Sequence, residues 1–181
     1  SEFESTGPSN IWLAHFDPNL TDMGEILWST TWNINEYDYP KNIITNQDGG
    51  YTISGYSSNS NNGDNGSSWI IKTDMNGNGE ILQPFTGNNF AYSMIEIDTG
   101  DYILAGKKIE GSNSQGWVAS IDSDGNQNWE RLYGNEDIEA FYSVQQTNDK
   151  GFILTGESHL NGAVDILHVK TDPNGNVLSD E

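Results

Sequence analysis

Short apolar runs separated by polar turn residues recur in register along this chain. A turn, an apolar strand and a glycine appear three times, as Asp48-Gly-Gly-Tyr51-Thr-Ile-Ser-Gly55, Thr99-Gly-Asp-Tyr102-Ile-Leu-Ala-Gly106 and Lys150-Gly-Phe152-Ile-Leu-Thr-Gly156. The aromatic residues Tyr51, Tyr102 and Phe152 are separated by 51 and 50 residues. A fixed period of this size predicts several copies of one structural unit.

Two further landmarks share this period. A large apolar residue stands five positions before an aspartate in four runs, Trp12 to Asp17, Trp69 to Asp74, Trp117 to Asp122 and Leu167 to Asp172. A third stretch leads into the first landmark, and its residues Asn42, Ser93 and Ser143 again step by 51 and 50. Each repeat therefore predicts four strands, which in one copy lie near Ala91 to Ile97, Tyr102 to Lys107, Gly116 to Ile121 and Asn128 to Tyr133.

The pattern within each repeat predicts how the strands are buried. The third strand is apolar at nearly every position, as at Val118 and Ile121, which indicates a sheet covered on both faces. The fourth strand is more polar, as expected at an outer edge. Asn76-Gly77, Asp124-Gly125 and Asn174-Gly175 supply the positive-φ residues of tight hairpins between the third and fourth strands. Trp28 and Trp129 are expected to lie between neighbouring units.

These repeats resemble the propeller blades of bacterial and archaeal surface proteins, whose pattern runs D-G-G-Y-I-L-A-G, W-L-I-K-T-D-x-N-G-N-x-x-W and S-V-Q-Q-T. The pattern appears here as Ser143-Val-Gln-Gln-Thr147, Gly151-Phe-Ile-Leu-Thr-Gly156 and Val169-Lys-Thr-Asp-Pro-Asn-Gly-Asn176. A looser likeness to quinoprotein-type blades lies in Asp122-Ser-Asp-Gly-Asn-Gln-Asn-Trp129. The resemblance covers almost the whole chain and implies an all-β fold, a β-propeller of four-stranded antiparallel blades. It implies no single function, because such blades occur in proteins with unrelated roles.

The repeats divide the 181 residues into about three and a half to four blades. Residues 1–10 are expected to be an N-terminal tail or a cloning remnant, followed by a partial blade at 11–33 and blades at 39–86, 90–134 and 140–181. An open arc of blades leaves apolar faces exposed. A fragment of a longer propeller, a four-blade ring with one incomplete blade, and self-association of two chains into one ring remain open, and we favour a fragment that associates.

Composition narrows the range of partners. The chain has 27 acidic against 7 basic residues and a formal net charge of -20, which disfavours nucleic acid and anionic membrane surfaces. It has no cysteine, so disulfides, thiolate nucleophiles and zinc–thiolate sites are excluded. No apolar run is long enough to cross a bilayer, so membrane insertion is not expected. Richness in Asn and Gly with few Lys indicates an extracellular or cell-surface location.

The connections between units predict a binding face. In a propeller, the links 33–39, 86–90 and 134–140 lie on one face, at the mouth of the central channel, together with the links from Ser57 to Ser68, Lys107 to Gln115 and Glu157 to Val164. Long loops on a rigid scaffold commonly carry binding sites. The predicted ligand-binding rim consists of Glu36, Asp38, Asn88, Asn89, Glu136, Asp137 and Glu139, and it suits a cation, a sugar or a basic peptide.

One turn also resembles part of a calcium site. Asp74, Asn76 and Asn78 match the opening half of an EF-hand loop, which makes calcium a candidate cofactor. The twelfth position is Phe85 rather than the required glutamate. Since the same turn recurs at Asp122 and Asp172, a tight turn whose Asp and Asn side chains bind their own backbone is the simpler interpretation. No other cofactor is expected.

The sequence favours binding over catalysis. It contains no G-x-S-x-G elbow, and its three histidines show no metal-ligand spacing. The first hypothesis is a non-catalytic binding or scaffold module of a secreted or cell-surface protein, with a protein or glycan partner at the channel mouth. The alternatives are a carbohydrate-active hydrolase or lyase, using rim carboxylates such as Asp137 with Glu139 or Glu36 with Asp38, and a structural spacer without a ligand.

Overall fold

Strands and tight turns make up the computed structural model, which describes residues 8–19, 25–61, 65–82, 85–134, 138–160 and 163–177. The described strands are β1 (Ile11–Phe16), β2 (Ile26–Trp32), β3 (Tyr37–Thr45), β4 (Tyr51–Ser58), β5 (Ser67–Thr73), β6 (Gly79–Leu82), β7 (Asn89–Glu96), β8 (Tyr102–Glu110), β9 (Asn113–Ile121), β10 (Gln127–Tyr133), β11 (Ile138–Gln146), β12 (Phe152–Leu160) and β13 (Ala163–Thr171). Over these same ranges, no helix has the length and apolar character needed to cross a bilayer.

Antiparallel pairing of consecutive strands divides the chain into four units. Unit 1 is β1–β2, unit 2 is β3–β6, unit 3 is β7–β10 and unit 4 is β11–β13. The predicted strand boundaries of the third unit are confirmed to within a few residues. Unit 1 therefore contains the third and fourth strands of the repeat, and unit 4 contains the first three, with Val177 bridged to Thr171 after β13.

The all-β prediction is confirmed, with antiparallel units of four strands. Units 3 and 4 are joined by one parallel pair, Ile138 with Ser114, so that seven strands form one mixed sheet. Ser9 bridges Tyr37 in the same parallel sense between units 1 and 2. Within the described ranges the strand pairing does not close into a ring.

Each pair of consecutive units buries one apolar cluster between them. The clusters are Ile11, Ile53, Trp69 and Ile71 between units 1 and 2; Ile70, Phe85, Ala91, Met94, Tyr102, Leu104, Trp117, Ala119 and Ile121 between units 2 and 3; and Ile103, Ala105, Val118, Tyr133, Phe141, Val144, Phe152 and Leu154 between units 3 and 4. In units 2 and 3, one face of the sheet thus packs on the preceding unit and the other on the following unit. This contact explains why the third strands are apolar at successive positions.

Burial of the third strands depends on the position of the unit in the chain. β5 and β9 are buried along most of their length, as predicted, whereas β1 and β13 expose half or more of their residues. Trp69 and Trp117 are 0% exposed, but the equivalent Trp12 is 55% exposed. The described chain places no unit before β1 and none after β13, so the same residue pattern is left partly in solvent at the two ends.

Trp28 and Trp129 lie between units, as predicted. The Trp28 ring covers Gly77 in the next unit and lies 6.2 Å from the Tyr51 ring. Trp129 repeats this arrangement over Gly175, with 6.2 Å to the Phe152 ring. A glycine is required at each turn because a Cβ would collide with the indole ring.

The glycine in the middle of each of the second strands β4, β8 and β12 marks a close approach of two backbones. The register of the first strand shifts by one residue beside Gly55, Gly106 and Gly156, which is a β-bulge. A Cβ on Gly106 would lie 1.7 Å from the carbonyl oxygen of Phe90. The glycine landmark in the sequence therefore reflects a steric requirement of the bulge.

The hairpins between third and fourth strands contain the predicted positive-φ residues, but only at the glycines. Gly77, Gly125 and Gly175 have φ of 79°, 88° and 75°. The N–H of Gly77 donates to the carbonyl of Asp74, which closes a four-residue turn before the glycine enters the left-handed region. Such a turn requires positive φ at one residue, so the preceding Asn or Asp keeps negative φ.

The link predicted from Lys107 to Gln115 is mostly strand. β8 continues to Glu110, and β9 begins at Asn113, its cross-strand partner. The prediction failed because the polar residues of this stretch resemble a loop, whereas their backbone groups extend the ladder. The corresponding link of unit 4 is also shortened, since β12 reaches Leu160 and β13 begins at Ala163.

The inter-unit contact predicts unequal effects of two equivalent substitutions. Trp117→Ala should lower the free energy of unfolding by about 3–5 kcal/mol, because it opens a cavity between units 2 and 3. Trp12→Ala should lower it by less than about 1 kcal/mol, because more than half of that ring is already in water. Urea unfolding at low protein concentration measures both values, and equal losses would contradict the described packing.

Candidate functional site

The structure separates the seven predicted rim residues into three groups. Glu36 is exposed and Asn88 is half-buried, as expected of a solvated rim. Asp38, Asn89 and Glu139 are instead buried, each with 3% or less of its surface exposed. The remaining two, Glu136 and Asp137, lie outside the described residues. Contact with a ligand is an untested prediction for the whole set.

The three buried residues occupy one position of the repeat. They lie near the start of the first strands β3, β7 and β11 and step by 51 and 50 residues. Asp38 accepts hydrogen bonds from the backbone N–H groups of Ile34 and Asn35, at 3.0 and 3.2 Å, and from the hydroxyl of Ser57. Its carboxylate thereby holds the connection that enters unit 2. Ser57 lies directly opposite on β4.

The equivalent residues of the next two units make related contacts. The amide oxygen of Asn89 accepts from the N–H of Ser68 at 2.8 Å, and its amide nitrogen donates to the carbonyl of Thr86 at 3.4 Å. Glu139 accepts from the Ser158 hydroxyl at 3.3 Å, and its carboxylate packs against Gly134. Each side chain thus contacts a neighbouring strand or the connection before its own strand. These hydrogen bonds explain why Asp38 and Asn89 are tolerated in the interior, whereas the buried Glu139 Oε2 has no hydrogen-bond partner among the described residues.

The turn proposed for calcium uses its aspartate to bind its own backbone. Asp74 Oδ1 accepts from the N–H groups of Asn76 and Asn78 at 2.8 and 2.9 Å, and Oδ2 accepts from the Asn78 side chain at 3.0 Å. The turns at Asp122 and Asp172 repeat the same three contacts. Three copies of one hydrogen-bond pattern favour the turn interpretation. Calcium at Asp74, Asn76 and Asn78 stays a prediction.

A contiguous row of tyrosines runs across units 2, 3 and 4, on the first strands β3, β7 and β11 and on the second strand β4. We call Tyr39, Tyr56, Tyr92 and Tyr142 the tyrosine row. Tyr39 and Tyr56 stack with ring centroids 4.9 Å apart, and Tyr92 and Tyr142 stack at 5.5 Å. Tyr56 and Tyr92 meet edge to face at 6.2 Å and join the two stacks. All four rings are only partly buried, and Tyr142 is 50% exposed.

The β-bulges place part of this row. The residue skipped by the pairing is Lys41 in β3, Tyr92 in β7 and Tyr142 in β11. Because a bulge redirects the side chain of the extra residue, these three leave the regular alternation of the strand. The ammonium group of Lys41 lies 5.4 Å from the Tyr56 ring centroid and 6.0 Å from that of Tyr39, within cation–π range. One end of the row is therefore positively charged.

The other end of the tyrosine row carries a carboxylate and a histidine. The Tyr142 hydroxyl donates to Glu157 Oε1 at 2.6 Å, and His159 Nε2 lies 3.5 Å from the same oxygen. Burial raises the pKa of Tyr142 to about 12, and the hydrogen bond to Glu157 adds to this effect. Burial also raises the pKa of Tyr92 and Tyr56. The phenols are therefore uncharged hydrogen-bonding groups at neutral pH.

Sequence reasoning missed this row. Each bulged residue lies directly before the landmark residues Asn42, Ser93 and Ser143, so the repeat alignment already contained a signal. Tyrosine at two of the three equivalent positions, beside polar neighbours, is that signal. The bulge itself, which turns the residue out of the alternation, is a property of strand pairing.

Neither the protein-family models nor the curated proteins contain a match to the chain.

The hydrogen bond from Ser57 to the buried Asp38 predicts different effects of two serine substitutions on β4. Ser57→Ala should lower the free energy of unfolding by about 1–3 kcal/mol, because the buried Asp38 loses a donor. Ser54→Ala should have little effect or stabilise, because in the described part of the chain the buried Ser54 hydroxyl has no hydrogen-bond partner. Urea unfolding measures both free energies, and an equal loss of stability in the two variants would contradict a stabilising role of the Ser57–Asp38 hydrogen bond.

The aspartate turns predict an acid-sensitive contribution to stability. Hydrogen bonds from the Asn126 side chain and from backbone N–H groups lower the pKa of Asp122 below its ordinary value. The folded state therefore gains stability above the unfolded-state pKa of about 3.9, and loses this gain as pH falls through the lower folded-state value.

The wild type should thus be more stable than Asp122→Asn at pH 6, and the difference should shrink towards pH 2. Urea midpoints across this range measure it. Asp124→Asn in the same turn is the control, since among the described hydrogen bonds the Asp124 carboxylate accepts none. A difference that stays constant with pH would contradict this role.

Proposed function

We propose that the four units are consecutive β-propeller blades and that the chain is a non-catalytic binding or scaffold module of a secreted or cell-surface protein. The adjacent first strands, the apolar cluster between each pair of units and the four-strand repeat support the propeller arrangement. The resemblance of the repeats to surface-protein blades supports the location. The net charge of -20 is compatible with neutral or basic ligands.

The tyrosine row is the observation that carries this proposal. Its four rings are not members of the three inter-unit clusters, although Tyr56 packs edge to face on the buried Phe90 at 4.9 Å. They contact one another across three units. Tyr39, Tyr92 and Tyr142 lie on the first strands, which in a propeller border the central channel, and Tyr56 lies on the second strand β4. An aromatic surface on a rigid scaffold, with polar groups at both ends, is typical of a ligand site.

A neutral glycan is the ligand class that this surface fits best. The rings offer flat apolar faces, and the hydroxyls offer hydrogen bonds, which together match the apolar faces and hydroxyl groups of a sugar. Lys41 and Glu157 at the two ends supply a donor and an acceptor for further hydroxyls. A basic peptide is the protein ligand that the same proposal allows, because the chain carries a formal net charge of -20.

The hydrolase or lyase alternative gains no support from the described contacts. Of its carboxylate pairs, Glu36 with Asp38 includes a buried group that is fully engaged in holding the chain, and Asp137 lies outside the described residues. The spacer alternative predicts that no ligand exists. A ligand screen distinguishes these possibilities.

Arrays of glycans and of peptides should identify a ligand, and calorimetry should then measure its affinity. Tyr142→Ala is expected to weaken binding by up to about tenfold, because it removes one aromatic contact of at most about 1.5 kcal/mol. Phe16→Ala, which removes an equally exposed ring in unit 1, should leave the affinity unchanged. Equal affinity of Tyr142→Ala and the wild type would show that the ligand binds outside the tyrosine row. Cleavage of an arrayed glycan would favour the enzyme alternative. Arrays on which no ligand binds would favour the spacer alternative.

A further inference from the structure

The two ends of the described chain expose opposite halves of one repeated interface. We call the sheet face that packs on the next unit the Ile11 half, because Ile11 lies on this face of unit 1. We call the opposite face, which packs on the preceding unit and carries Trp69 in unit 2 and Trp117 in unit 3, the Trp69 half. Both halves are present once more at the ends, where they have no neighbour among the described residues.

Unit 1 exposes the half that elsewhere packs on a preceding unit. Trp12 is 55% exposed where Trp69 and Trp117 are fully buried. Phe16 and Leu27 of the same unit are 46% and 53% exposed. In unit 2, Ile43 is also 51% exposed, because unit 1 lacks the first two strands that would cover it.

A cavity of about 270 Å³ lies at this open end. It is lined by Ile11, Trp12, Leu13, Pro40, Lys41, Asn42, Ile43 and Ile53. This space lies beside β1, on the side where units 2 and 3 have their second strands. The open half is therefore recessed as well as apolar, and it can accept side chains from a partner.

Unit 4 exposes the complementary half. Ile166 is 87% exposed, although its equivalent Ile11 is 1% exposed against unit 2. Val164 on the same strand is 62% exposed. Thr155 and His168 lie among the exposed residues of this unit, so the surface is mixed rather than wholly apolar. We therefore expect a reversible contact whose extent depends on concentration.

We propose that a second copy of the chain covers these surfaces head to tail, with unit 4 of one copy packing on unit 1 of the next. The internal interfaces are the reason for choosing this occupant. They show three times that the Ile11 half of one unit pairs with the Trp69 half of another, and the described residues leave one surface of each kind uncovered. Pairing two like halves would reproduce none of the three interfaces.

Head-to-tail contacts of this kind close into a ring or continue as an open array. Each copy carries a formal charge of -20, so repulsion opposes association, and added salt should strengthen it by screening. This dependence is opposite to that of an association held by ion pairs.

Sedimentation velocity over a range of protein concentrations tests the proposal. The wild type should rise from the 20.0 kDa of one chain towards at least twice that mass. Trp12→Ser and Ile166→Ser should each remain monomeric while keeping the wild-type circular dichroism spectrum, because both side chains are exposed in the single chain. Met75→Ser, at an exposed apolar residue in a turn of unit 2, should associate like the wild type.

Mixing the two monomeric variants distinguishes head-to-tail from like-to-like contact. Trp12→Ser retains an intact unit 4 surface and Ile166→Ser retains an intact unit 1 surface, so an equimolar mixture should form a complex of two chains and no larger species. A wild type that stays monomeric at all concentrations would overturn the proposal. So would a mixture that stays monomeric, or association that only one of the two substitutions abolishes.

Discussion

Burial of each sheet between its two neighbours is the constraint on which this structure depends. A four-stranded sheet with apolar residues on both faces cannot be stable alone in water, because both faces would remain exposed. The interior clusters resolve this by pairing the Trp69 or Trp117 face of one unit with the apolar face of the unit before it. Glycines at the bulges and under the indole rings permit the close approach that this packing needs.

Buried polar residues connect the same packing to the candidate site. Asp38, Asn89 and Glu139 occupy one repeat position and bond to neighbouring strands or connections. Their hydrogen bonds help to fix the start of each first strand, and the bulge a few residues later redirects Tyr92 and Tyr142 into the tyrosine row. The places of Tyr92 and Tyr142 in the row therefore follow from the repeat, whereas the equivalent residue of unit 2 is Lys41, and Tyr39 and Tyr56 occupy other repeat positions.

Much of the fold could be predicted from local patterns. Alternation, turn glycines and the period placed the strands of unit 3 and the inter-unit contacts of Trp28 and Trp129, because these features depend on residues close in sequence or on the repeat itself. The candidate site was predicted less well. Polar residues near a connection indicate a solvated rim, and burial of Asp38 depends on the covering connection and on Ser57 across the ladder. The strand that replaced the expected link from Lys107 to Gln115 likewise depended on pairing between β8 and β9.

The amino-acid order alone established an all-β chain of four repeated units, their hairpin turns and their apolar third strands, because each of these follows from residue periodicity and backbone preference. Packing in three dimensions settled which equivalent residues are buried. Trp12, Trp69 and Trp117 share one position of the repeat, yet the first is half in water and the others are not. The physical reason is that burial belongs to a pair of surfaces, and a residue's own sequence context does not specify whether a neighbouring surface is present.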